Sequence, residues 1–400
     1  MQSGWRIGSL FGIPLLIDSS WFFILALVTY RYGSLWRQED WGTNVAWIAG
    51  FAMALLLFAS VLLHELGHSL VARSQGIKVS SITLFLFGGI ASIEQESKTP
   101  SQAFQVAIAG PAVSFGLFVV LALGRSVLPL PEPAVAIVTD LAGINLVLAL
   151  FNMIPGLPLD GGQVLKAAIW RITGNRLTGV RWSARFGQWL SWGAILFSIS
   201  LFLMSFNPFV LWIALLGWFG VRNAAAYSQV TDLQEALLKL KASSAMTSDF
   251  RVVDARLTLR QFMDKYLLLE EDHLPSFYAS SDGRYRGLVS LDALQVVERS
   301  RWETDTVQSV VTPLAEIPTV SEDTSLVDVV EQLETDNLRS ITVLSPAGAV
   351  SGVVDRGDIV RTIAERLKIP IASSLIQQIK EKGVYPEGLQ IPAIARSAKG

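Results

Sequence analysis

Hydrophobic and polar positions divide this chain into two regimes. Up to about residue 230, apolar residues run in long stretches; beyond it they come in short runs between polar ones. Six apolar stretches are long enough, or nearly so, to cross a bilayer as helices, which takes about 20 residues. They lie near 15–33, 45–72, 101–127, 134–155, 187–206 and 208–226. Only Asn207-Pro208 separates the last two, which predicts a tight hairpin. Residues 77–96 read differently: their β-branched and aromatic content predicts strands, with Gly88-Gly89 as the turn. After residue 245, two weakly similar segments each predict a strand, a helix, two strands and a helix.

Composition sharpens this division. Hydrophobic residues make up 51% and charged residues 16%, whereas a soluble domain carries about 25% charge. A fully soluble enzyme is excluded. Residues 1–230 hold 13 basic and 9 acidic side chains, and the remainder 19 and 25. Eleven of the twelve tryptophans lie in the first part, as expected where a chain meets membrane interfaces. A net charge of −2 leaves no basic excess for nucleic acid, so no such partner is expected. With no cysteine, there is no disulfide, thiol nucleophile or thiolate metal site.

Basic residues set the expected orientation. Nine of them, from Arg6 to Arg185, fall on the side holding the N-terminus, against three (Arg31, Arg37 and Arg125) on the other. A multi-pass protein of the cell membrane is expected, with both termini and the second half cytoplasmic. The flank of the first stretch holds only Arg6, so that stretch reads as an uncleaved helix.

The second stretch hides polar groups: His64-Glu65-Leu66-Gly67-His68, the pattern HExxH. Histidines four apart share one helical face, so both imidazoles reach one metal, and Glu65 lies beside them to act on a water. Zinc suits such ligands. Burying these groups in lipid without partners costs several kcal/mol, which favours a functional cluster. A catalytic zinc takes a third protein ligand. Orientation sets aside Glu39, Asp40, Glu132 and Asp140 and leaves Asp18, Glu94, Glu96 and Asp160. Asp160 has the most telling surroundings: Asn152-Met-Ile-Pro155-Gly156-Leu-Pro158-Leu-Asp160-Gly161-Gly162 breaks a helix late in an apolar span. Broken backbone at that depth is tolerated where it lines a cavity. Asn152 reads either as a packing residue or as part of the chemistry. The remaining histidine, His273, is expected at the surface of the second half.

Together, HELGH in the second span and Asn-x-x-Pro-x-x-Pro-Leu-Asp-Gly-Gly in the fourth resemble the site-two protease family of intramembrane zinc metalloproteases. The resemblance covers roughly residues 5–225. It implies six transmembrane helices, a small membrane-associated sheet and one Zn2+. It further implies His64, His68 and Asp160 as ligands, Glu65 as the base, and Asn152 as a group that binds substrate or the developing oxyanion. Ala109-Gly110-Pro111 matches a recurrent family element, read here as close helix packing and a kink.

The second half resembles a tandem pair of CBS domains, an α/β module, over 245–303 and 311–368, with a loosely ordered tail at 369–400. Its signatures are Gly287-Leu-Val-Ser290-Leu-Asp292 and Gly352-Val-Val-Asp355-Arg-Gly-Asp358. That resemblance implies an adenine nucleotide (ATP, ADP or AMP) contacting Ser290, Asp292 and Asp358, and a homodimer formed through the pair. The sequence departs from the pattern in two ways: Asp292 comes one residue early, and Asp355 stands where a threonine is usual and repels phosphate. The leading function is therefore cleavage of transmembrane segments of membrane proteins in the bilayer. The alternatives are a CBS-gated transporter or channel, or an inactive protease-like scaffold.

Overall fold

The computed structural model describes residues 4–86, 88–267, 275–386 and 389–399. The chain divides into two compact units, the first ending at Thr231 and the second running from Asp232 to Lys399.

In the first unit, a hairpin of β1 (Trp5–Leu10) and β2 (Ile13–Ile17) leads into α1 (Ser20–Trp36) and the long α2 (Thr43–Ser74). Strands β3 (Val79–Phe85) and β4 (Gly88–Ile93) follow, and then the helices α3 (Pro100–Val127), α4 (Glu132–Asn152), α5 (Asp160–Thr173), α6 (Arg176–Ser205) and α7 (Leu211–Lys239). Among the described residues, five helices are long and apolar enough to cross a membrane. They are α2, α3, α4, α6 and the segment Pro208–Lys239. With 17 residues, α1 is shorter. The apolar stretch at 15–33 is thus not one helix. Its first residues pair as β2, and the Asp18 carboxylate accepts from the Ser20 N–H at 2.9 Å, so the helix starts only there.

The strands form one sheet in the order β1-β2-β3-β4. Strand β2 runs parallel to β3, with Leu15 opposite Ile82, and β3 runs antiparallel to β4. Gly88 and Gly89 are not the turn; they pair with Phe85 and Leu84 inside β4. Ile13, Leu15 and Ile82 pack on Leu66 and Ala72 of α2. This apolar seam lays the sheet along the helix that carries HELGH.

The second unit opens with the end of α7, from Asp232, and continues into α8 (Ala242–Ala245). The first repeat contributes β5 (Phe250–Asp254), α9 (Leu259–Phe262), β6 (Ser276–Ser281), β7 (Arg284–Val289) and α10 (Leu291–Val296). Next come β8 (Val311–Pro313) and the second repeat: β9 (Thr319–Ser321), α11 (Leu326–Thr335), β10 (Ser340–Leu344), β11 (Val350–Asp355) and α12 (Arg356–Leu367). The repeats exchange their opening segments. Strand β8 pairs with β7 of the first repeat, while Thr247 bridges Val353 of the second. Gly287 and Gly352, equivalent in the two repeats, leave room for this: a Cβ at either would strike the Thr312 or Thr247 carbonyl.

The tail departs from expectation. It forms α13 (Ser373–Lys382) and α14 (Ile391–Lys399), whose Ile379, Ile391 and Ala395 are buried in the core of the second repeat. Apolar residues at helical spacing supply the burial that orders it.

Candidate metal centre

Helix α2 is continuous through HELGH, so His64 and His68 project from one face, and both are buried. Helix α4 ends at Asn152. The chain then folds back so tightly that a Cβ at Gly162 would strike Gly156, and α5 begins at Asp160. The break read from the sequence thus places Asp160 against α2. His64 Nε2 lies 3.2 Å from Asp160 Oδ2, His68 Nε2 lies 3.3 Å from the same oxygen, and the two Nε2 atoms are 3.3 Å apart. A tetrahedron with zinc–ligand bonds of about 2.0–2.1 Å has edges of about 3.3 Å. These three residues form a group able to hold one metal ion.

Two further observations fit a cation. The His68 Nδ1 atom is 2.7 Å from the Val106 carbonyl oxygen, which only accepts, so Nδ1 carries the hydrogen and a neutral imidazole has a bare Nε2 lone pair. That lone pair faces a carboxylate oxygen. A Cβ at Gly110 of α3 would lie 2.6 Å from His64 Nε2 and closer still to His68 Nε2. Glycine there keeps open the space beside the converging atoms, a demand beyond the close packing read from the sequence.

Glu65 is half-buried beside the cluster, covered by β4: a Cβ at Gly89 would lie 2.5 Å from Glu65 Cγ. Asn152 reaches the same place, its Nδ2 lying 3.5 Å from His64 Nε2. The other candidate carboxylates are engaged elsewhere. Asp18 accepts from the Ser20 N–H and hydroxyl at the start of α1, and Glu94 accepts from Ser80 Oγ at 2.5 Å. Glu96 meets Arg176 at 2.5 Å and Lys166 at 3.6 Å. Burial alone would raise the Glu96 carboxyl, but the Lys166 and Arg176 charges outweigh it and hold it below its ordinary value. Ser114 of α3 went unnoticed in the sequence; its hydroxyl lies 2.9 Å from His64 Nδ1. The available signal was a serine in an apolar span, four residues after Gly110.

In the second unit the residues implied as nucleotide contacts stand in different settings. Ser290 Oγ caps α10 by accepting from the Ala293 N–H at 3.1 Å, and Asp292 is exposed. Asp358 is fully buried, with Lys380 of α13 at 2.8 Å and Arg361 at 3.1 Å. Lys380 also holds Asp355 at 3.0 Å. Burial first, then the Asp355 charge, push the Asp358 carboxyl up. Burial works against the Lys380 ammonium, but the two carboxylates win and raise it. His273 lies outside the described residues.

An HExxH helix joined by an aspartate as the third converging donor, within a bundle of apolar helices, has the make-up of a metalloprotease centre. The model of "Peptidase family M50" matches residues 52–129 and 130–192, and that of the "CBS domain" matches 307–365. Two relatives carry the name "Putative zinc metalloprotease": sll0528 of Synechocystis sp. and Rip3 of Mycobacterium tuberculosis. The first is 42% identical over 91% of this chain and 96% of its own, the second 33% over 86% and 87%. The solved site-2 protease from Methanocaldococcus jannaschii is 28% identical over 56% of this chain and 95% of that one, with a TM-score of 0.41. The chain belongs to peptidase family M50, the site-2 protease family, and it is a membrane protein with a CBS region.

Proposed function

We propose that this protein is a zinc-dependent endopeptidase that cleaves transmembrane segments of other membrane proteins within the bilayer. The observation that supports this reading most is the convergence of three donor atoms at the edge length of a zinc tetrahedron, beside Glu65. In this reading His64, His68 and Asp160 hold the zinc. When bound, zinc would supply a Lewis acid that polarises the scissile carbonyl and lowers the pKa of a water to about 7. Glu65 takes the water's proton and passes it to the leaving amine. The Asn152 amide donates to the carbonyl oxygen as negative charge grows there. A helical substrate has its carbonyls hydrogen-bonded, so the scissile segment must first unwind. β4 is an edge strand, and an extended segment added to it would lie beside Glu65.

The same reading counts α1 as a sixth span and puts the basic loops, both termini and the CBS pair (245–303 and 311–368) in the cytoplasm. The pair is a regulatory module that binds adenine nucleotide and dimerises. One experiment tests both levels: the full chain in proteoliposomes with a single-span reporter protein. Cleavage is expected, stopped by a chelator and restored by zinc. ATP or AMP is expected to change the rate. A zinc-replete protein that cleaves no membrane reporter contradicts the first reading. An unchanged rate together with no nucleotide binding removes the second.

A further inference from the structure

Helix α3 grips both imidazoles at their Nδ1 atoms. Val106, Gly110 and Ser114 stand four apart on α3, matching His64 and His68 on α2. The grip on His68 comes from a backbone carbonyl, which fixes the tautomer whatever the side chain at 106. The grip on His64 comes from a hydroxyl, which either donates or accepts. At Nδ1 the tautomer of His64 is therefore set by one side chain, and Ser114 is fully buried, away from water that could substitute for it.

The choice matters because His64 Nε2 sits 3.2 Å from Asp160 Oδ2. With the hydrogen on Nε2, His64 donates to Asp160, and the cluster closes on itself. With the hydrogen on Nδ1, the Nε2 lone pair joins that of His68 and the carboxylate, and all three face one point. We propose that Ser114 is a positioning residue for His64: its oxygen accepts the Nδ1 hydrogen and keeps Nε2 bare for a metal. This rests on reading the cluster as a zinc site. Loss of such a partner to a ligating histidine costs about 10–100-fold in metal affinity.

The test uses the full chain in detergent and needs no substrate. Zinc affinity is measured by competition with a chromophoric chelator, and the visible spectrum is recorded with cobalt(II) in place of zinc. The variants are Ser114→Ala, Ser114→Thr, which restores a hydroxyl, and Ser198→Ala. The last removes a buried serine hydrogen bond from α6 to the Val210 carbonyl, a contact away from the ligands. Ser114→Ala is expected to weaken zinc by about 10–100-fold and to alter the cobalt spectrum. Ser114→Thr should recover most of the affinity, and Ser198→Ala should match the parent. Equal zinc affinity and an unchanged spectrum in Ser114→Ala overturn the proposal. So does an equal loss in both alanine variants, which marks general loosening. A parent that binds neither metal removes the zinc reading itself, and this inference with it.

Discussion

Glu65→Gln should abolish peptide-bond hydrolysis while leaving about one zinc per chain. Glu65 is the one acidic residue at the cluster whose carboxylate is not among the three converging donors. Glutamine keeps its shape but takes up no proton at neutral pH. General acid–base groups contribute about 10²–10⁴-fold. Here one group serves both as the base toward water and as the acid toward the amine, so a loss of at least about 10³-fold is expected. The packing around Gly89 tolerates the change because glutamine has the same outline. Cleavage of the reporter in proteoliposomes, measured beside zinc content, decides it. Activity within tenfold of the parent would sink the proposed role of Glu65.

The second large effect falls on the metal itself. Asp160→Ala should drop zinc from about one per chain to near zero after dialysis. Two imidazoles on one helix remain, but the oxygen that sits 3.2 and 3.3 Å from them is gone. Removing a ligand should cost more than the roughly 100-fold lost when only a ligand's hydrogen-bond partner is removed. His64→Ala/His68→Ala should lose zinc as well. Full zinc retention by a folded Asp160→Ala protein would show that the third ligand lies elsewhere; Glu96 would be the least accessible replacement, being already committed to Lys166 and Arg176.

Much of the site was legible in the chain because its signals are local. HELGH lies within one helical turn and a half, and an i, i+4 pair faces one way in any α-helix. The Pro/Gly break between Asn152 and Gly162 is likewise a property of its own residues, and α4 does end at Asn152. The choice among Asp18, Glu94, Glu96 and Asp160 was different in kind. Composition and orientation left four carboxylates, and only the fold-back of α5 onto α2 brings one of them to the histidines while the others find partners of their own.

Other parts depended on partners distant in sequence. The start of the first apolar stretch becomes β2 because β3, more than sixty residues on, offers it a parallel edge. The exchange of opening segments between the repeats is invisible to a repeat-by-repeat reading, though Gly287 and Gly352 record it. The tail looked loose at the end of the chain, but its apolar residues recur at helical spacing and the core of the second repeat gives them something to bury against. Lys380 then reaches Asp355 and Asp358, the second of which was expected to face a nucleotide.

By itself, then, the sequence determined the membrane half, the helix that carries the histidines, the break that precedes Asp160 and the repeat that follows. Each rests on periodicity or backbone chemistry acting within a few residues. Asp160 was singled out by its surroundings and by the family resemblance; tertiary structure alone decided which glycine leaves the cluster room and that Ser114 stands behind His64. Those depend on which surfaces meet, and helices that are apolar all round meet through packing that no local pattern encodes.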